Sequence, residues 1–98
     1  MVVLTATYTV DPHEMEGVLA DLQEMVLRVH AQEPGCTMYQ VHQSVEDPRK
    51  ILLYEVYQDQ QSFDAHVATG HFREIVLGRI VPKLLHRERQ LWRALDWT

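Results

Sequence analysis

The segment 33–72, EPGCTMYQVHQSVEDPRKILLYEVYQDQQSFDAHVATGHF, constrains the fold more than any other part of the chain. It holds, in order, a helix stop, two strands joined by a short turn, and a helix carrying His66 with His71 just beyond it. Pro34-Gly35 ends a helix, because proline removes a backbone donor and glycine permits reversal. Residues 36–45 read as a strand with Thr37, Tyr39, Val41 and Val45 on one face. Residues 51–57 form its partner, and the polar run 46–50 is the turn of the hairpin. Asp59 can cap the helix that follows, in which Phe63 and Val67 lie one turn apart. Gly70 breaks or kinks that helix.

The flanks complete the pattern. Val2, Leu4, Ala6, Tyr8 and Val10 alternate with Val3, Thr5, Thr7 and Thr9, which is the period of a strand. Asp11 then serves as a cap, Pro12 suits the first helical position, and Glu14 completes a capping box. Met15, Val18, Leu19, Leu22, Met25, Val26 and Val29 make one apolar helical stripe. After Gly70 a second helical piece turns Phe72, Ile75, Val76 and Ile80 inward until Pro82. A last strand over 84–95 contributes Leu85, Leu91, Trp92 and Leu95. The order is β-α-β-β-α-β, an α+β ferredoxin-like unit with an antiparallel sheet and both helices on one face. It spans 1–98 as a single domain, with its core over about 2–95.

Both faces of the third strand are substantially apolar. Leu52, Tyr54 and Val56 occupy one, while Leu53 and Tyr57 flank Glu55 on the other. The helices cover one face only. A second copy of the sheet is the natural cover for the other, which predicts a face-to-face homodimer. Glu55 then lies near an interface or pocket and needs a polar partner there.

Composition narrows the partners. The net charge of −5 argues against nucleic acid, which demands clustered Lys and Arg. Arg73, Arg79, Lys83, Arg87, Arg89 and Arg93 make the last third basic, and read as a solvated helix face and strand edge. The single cysteine, Cys36, excludes an internal disulfide and reads as a small packing residue. No signal peptide or membrane-spanning run is present, so a soluble cytoplasmic location is expected. Neither a metal nor a nucleotide cofactor is expected, because no HxxxH or HxH pair and no Gly-rich phosphate loop occurs.

EPGC after an amphipathic helix, then LLYEVYQDQQSFDAHVATGHF, resembles the pattern of the antibiotic biosynthesis monooxygenase (ABM) domain family. The resemblance covers most of the chain and is densest over 33–72. It implies a dimeric α+β barrel with a pocket in each subunit between sheet and helices. It also implies membership of a family that includes cofactor-independent monooxygenases of polycyclic phenols and quinols, haem-degrading enzymes, and isomerases of a phosphorylated signalling sugar derivative. YEVY and AHxxTxHF look especially similar to the isomerase group. The haem-degrading set does not carry over: the first strand has no Asn, the Trp position is His66, and the later His position is Val76. The chain contains no Asn at all, so the aromatic monooxygenase set of Asn, Trp, Tyr and Arg does not carry over whole.

His66 is the leading candidate for chemistry. It lies three residues after Phe63, beside the buried stripe, where a neutral imidazole could take a proton from a phenol or an enolisable carbon. The same spacing suits a helix-face histidine that only packs. His71 reads as a cap or brace of the second helical piece, and a break at Gly70 would bring it beside His66. His42 lies on the Cys36-Met38-Gln40-His42 face of the second strand, facing either the helices or outward. Tyr54, Glu55, Phe63, His71, Phe72 and His42 are the expected pocket residues around His66. The expected ligand is a small aromatic or oxygenated metabolite. Oxygenase, proton-transfer isomerase, non-catalytic binding dimer and haem binding all remain open from the residues.

Overall fold

A computed structural model describes residues 1–97. Its elements are β1 (Val2–Val10), α1 (Met15–Gln32), β2 (Cys36–Gln43), β3 (Lys50–Tyr57), α2 (Gln60–Val67), a π-helical segment (Phe72–Ile80) and β4 (Leu84–Trp92). The four strands form one antiparallel sheet in the order β2-β3-β1-β4. This is the expected ferredoxin-like α+β arrangement.

The inward face of the sheet carries Leu4, Ala6, Tyr8 and Val10 from β1, with Ile51 and Leu53 beside them on β3. Against it pack Val18, Leu22, Met25 and Val29 of α1, and Phe72, Ile75, Val76 and Ile80 of the π-helical segment. Steps of three or four residues bring the α1 positions to one side of the helix. Leu19 sits at the margin of that stripe and is exposed. Full burial of a side chain such as Leu22 contributes about 1.5–3 kcal/mol.

Local signals explain several junctions and correct others. Asp11 accepts from the backbone N–H of His13 at 3.0 Å and opens a 3-10 turn over Pro12–Glu14, in place of a capping box with Glu14. Val45 is in the turn, not the strand, and is fully exposed. There the Ser44 hydroxyl accepts from the N–H groups of Glu46 and Asp47 and bends the chain away. β4 stops at Trp92 because that residue already pairs with Val3 near the start of β1. Leu95 therefore lies beyond the sheet, exposed. Leu85 falls at the register shift opposite Thr9 and Val10, which turns it to solvent. Leu91 and Trp92 are also exposed in the single chain.

Candidate functional site

The loop between α1 and β2 delivers one carboxylate to the interior. Glu33 leaves the helical conformation, its N–H still bonded to the Val29 carbonyl at 2.9 Å, and its own carbonyl accepts from Cys36 N–H at 3.0 Å. The Gly35 carbonyl accepts from Gln58 N–H at 2.8 Å, tying the loop to the end of β3. A Cβ on Gly35 would lie only 2.6 Å from Ser62 Cβ, so glycine is required by the close approach of α2.

α2 begins where the Asp59 carboxylate accepts from Ser62 N–H at 2.8 Å, as the sequence suggests. It ends at Val67, and Thr69 bridges the break. The Thr69 hydroxyl donates to the His66 carbonyl at 2.8 Å and accepts from Phe72 N–H at 3.1 Å. This bend places His66 and His71 on the same carboxylate. His66 Nδ1 lies 2.8 Å from one oxygen of Glu33, and His71 Nε2 lies 2.5 Å from the other. On the far side of the ring, His66 Nε2 stands 3.8 Å from Glu55, which in turn accepts from the Tyr57 hydroxyl at 2.5 Å.

The cluster is enclosed. His66 is 2% exposed and Glu55 4%. The rings of Tyr39, Tyr57 and Phe72 surround the imidazole, with centroids 5.2–5.7 Å away. Phe63 packs edge-on against Tyr57. Burial raises the Glu55 carboxyl above its ordinary range, and the Tyr57 hydrogen bond only partly opposes this. Burial also works to raise Glu33, but its two histidine partners outweigh it and hold the carboxyl below the ordinary range. Tyr39 and Tyr57 are both raised, chiefly by burial and then by the nearby Glu55 charge. Burial pushes the Cys36 thiol up to about 12, so it is not an activated nucleophile.

An apolar cavity of about 610 Å³ opens beside this cluster, between the helical layer and β4. Leu4, Phe63, Val67, Phe72, Leu77 and Leu91 line it, together with Arg87, Arg89 and Gln90. Phe72 belongs to both, touching His66 and facing the cavity, so the wall between is one ring thick. Leu4, another lining residue, is the cross-strand neighbour of Glu55. Arg87 Nε is buried with no hydrogen-bond partner among the described residues. Among the described residues, no group of His, Cys, Asp or Glu is arranged to hold a metal ion.

The structure therefore brings together five of the residues singled out from sequence: Glu55, Phe63, His66, His71 and Phe72. It places the other two elsewhere. Tyr54 pairs with Thr5, and His42 with Leu52, on the sheet face turned away from the helices. A bulge between Cys36 and Met38 separates their registers, so Cys36 does not share the face of His42. Glu33, Thr69, Arg87 and Arg89 were missed. Thr69 had a local signal, a hydroxyl residue before a helical run. The arginines looked like an ordinary basic strand edge.

A ferredoxin-like α+β domain with a buried acid–base cluster beside an apolar cavity is thus defined. Residues 1–76 match the family described as antibiotic biosynthesis monooxygenase, and the chain belongs to that family. A crystal structure of an antibiotic biosynthesis monooxygenase superposes with a TM-score of 0.89 at 27% identity, covering 98% of this chain and 100% of that one. A conserved protein from Methanosarcina mazei Go1 gives 0.84 at 26%, covering 94% and 90%. A Pseudomonas aeruginosa protein gives 0.84 at 25%, covering 97% and 94%. No curated protein matches the chain in sequence. No helix among the described residues is long and apolar enough to cross a membrane.

Proposed function

We propose that this protein is a cofactor-free monooxygenase of small phenolic or quinol ring compounds, with His66 as the base. The observation that carries this is the placement of His66, with one ring nitrogen on Glu33 and the other directed toward Glu55, one aromatic ring away from the cavity. Membership of the monooxygenase family and the likeness to a solved monooxygenase support the reading.

The chemistry asks little more of the protein. A ring entering the apolar cavity swings the Phe72 ring aside, away from His66, and the bare nitrogen of His66 removes the hydroxyl proton. The resulting anion passes an electron to dioxygen. One oxygen atom enters the ring as a new carbonyl and the other leaves as water. Exclusion of water strengthens every electrostatic contact along this path. The unpartnered Arg87 Nε and the neighbouring Arg89 supply positive charge where the ring oxygen becomes anionic. His66 and Glu55 also form an acid–base pair suited to moving a proton between carbons, as an isomerase would, and dependence on oxygen separates the two readings.

The protein works as a homodimer joined through the sheet face opposite the helices. Met38, Leu52 and Trp92 are exposed there in the single chain, beside Val3, Tyr54 and Val56. The test of activity is oxygen consumption with a panel of quinols and phenols, on protein shown to be free of metal and flavin. Wild-type protein should consume oxygen, and His66→Ala should lower the rate by about 10²–10⁴-fold, the range of a lost general base. Unchanged uptake in the variant would remove His66 from the reaction, and uptake by neither protein would remove the oxygenase.

A further inference from the structure

The geometry points to Glu33 as a positioning residue that accepts one N–H from His66 and one from His71, holding His66 in the tautomer whose Nε2 is bare. This rests on the reading of His66 as the base, and adds the element that makes it one.

Both oxygens of Glu33 are engaged, one by each histidine, at 2.8 and 2.5 Å. An ionised carboxylate only accepts hydrogen bonds. Each ring nitrogen facing it must therefore carry the hydrogen, so His66 is protonated at Nδ1 and His71 at Nε2. In neutral His66 the lone pair is then confined to Nε2. Among the described residues no hydrogen-bond partner meets that nitrogen, since Glu55 at 3.8 Å is beyond hydrogen-bond reach. The partner of Nδ1 is Glu33. Tyr39 and Tyr57 pack their rings beside the imidazole, and the Tyr57 hydroxyl donates to Glu55. A ring nitrogen takes its state from the bond its partner nitrogen makes, and here that bond is to Glu33.

His71 completes the arrangement. The second donor, like the first, opposes burial and helps hold the Glu33 carboxyl below its ordinary range, where it accepts from both rings. His71 thus does more than brace the start of the π-helical segment.

A purely bracing role and a tautomer-setting role differ in the response to Glu33→Gln. Glutamine can still bridge the two rings, but it accepts with one atom and donates with the other. One histidine must then present a bare nitrogen to it. The test is a long-range proton–nitrogen correlation spectrum of histidine-labelled protein at neutral pH, in wild type and Glu33→Gln. Wild type should show His66 protonated at Nδ1 and bare at Nε2, with His71 the reverse, and the variant should switch one ring. In oxygen uptake, where His66 is the ring that switches, the variant should lose about 10-fold or more in kcat with KM little changed, as expected when an interaction made in the transition state is weakened, and where His71 switches kcat should hold. A wild-type His66 that is protonated at Nε2, alone or with Nδ1, overturns the proposal, and this needs no variant to fold. An unchanged pattern in Glu33→Gln overturns it as well. The expected tautomers without oxygen uptake would sink the oxygenase and leave the positioning role standing. His66-dependent uptake with the other tautomer would do the opposite.

Discussion

The carboxyls of partly buried Glu33 and buried Glu55 are shifted in opposite directions. Glu55 has its pKa raised by burial, and one hydrogen bond from Tyr57 does not cancel that. Its ionised form therefore destabilises the fold at pH values above its raised folded pKa. Below its unfolded value of 4.5 both states are protonated and the penalty vanishes. Glu33 has its pKa lowered, so its contribution is present above 4.5 and is lost as pH falls through the lower folded value. Glu55→Gln keeps an acceptor for Tyr57 and removes the buried charge. It should raise the melting temperature at pH 8 by roughly 4–8 °C, corresponding to about 1 kcal/mol in a domain of this size. The gain should fade as the pH is lowered toward 4.5, and a melt series from pH 4 to 8 reads it directly. A gain that is constant across the series would mean that the Glu55 pKa is the same in the folded and unfolded chain, and so that burial does not raise it. His66 was legible in the sequence because helical spacing from Phe63 set it beside the apolar stripe. Glu33 was not, because its contacts reach 33 and 38 positions along the chain and nothing local announces them.

At the scale of elements, the α1 stripe and the β1 alternation were legible because each is a simple period in residues that pack on one face. The winding of Phe72–Ile80 was not. Phe72, Val76 and Ile80 recur every four residues, a spacing that an α-helix or a wider π-helix can both turn inward. The choice is visible only in the Val81 N–H reaching the carbonyl of Val76, five residues back. The contact that matters most for the site is between the 33–36 loop and α2. Gly35 leaves no room for a side chain against Ser62, so Gly35→Ala must push the loop outward and carry Glu33 off the histidines. The expected cost is about 1–3 kcal/mol, the range for overpacking. Replacing Ser62 by glycine in the same chain removes the Cβ and Oγ that clash. Denaturant melts of the two single variants and the double should therefore show the double more stable than Gly35→Ala alone. Simple addition of the two losses would mean that the loop and α2 do not compete for this space.

At the scale of the molecule, the sheet has one covered face and one bare face, a consequence of placing both helical layers on the same side. The bare face is built from β-strand positions that alternate with the core, so its residues were legible as a face. Which side held Tyr54 and His42 was not, because periodicity assigns residues to faces without saying which face meets the helices. Trp92 Nε1 donates to the Thr5 hydroxyl at 2.7 Å, and Trp92 lines a hollow with Val3, Thr5, Tyr54, Arg93 and Ala94. Met38 is 43% exposed, Leu52 39% and Trp92 50%, a patch with few charges for a chain of 98 residues whose core is thin. In the proposed dimer a second copy related by a two-fold axis would bury the same patch on both sides. Leu52→Glu places a charge at that contact, where it has no partner and cannot be left dry cheaply. Light scattering should give twice the 11.5 kDa chain mass for the wild type and the single-chain mass for the variant. The wild-type melting temperature should also rise with protein concentration, and that of Leu52→Glu should not, because mass action stabilises only the form that associates. A wild type that stays at the single-chain mass, with a melting temperature indifferent to concentration, would show that this face is left to solvent or to a different partner.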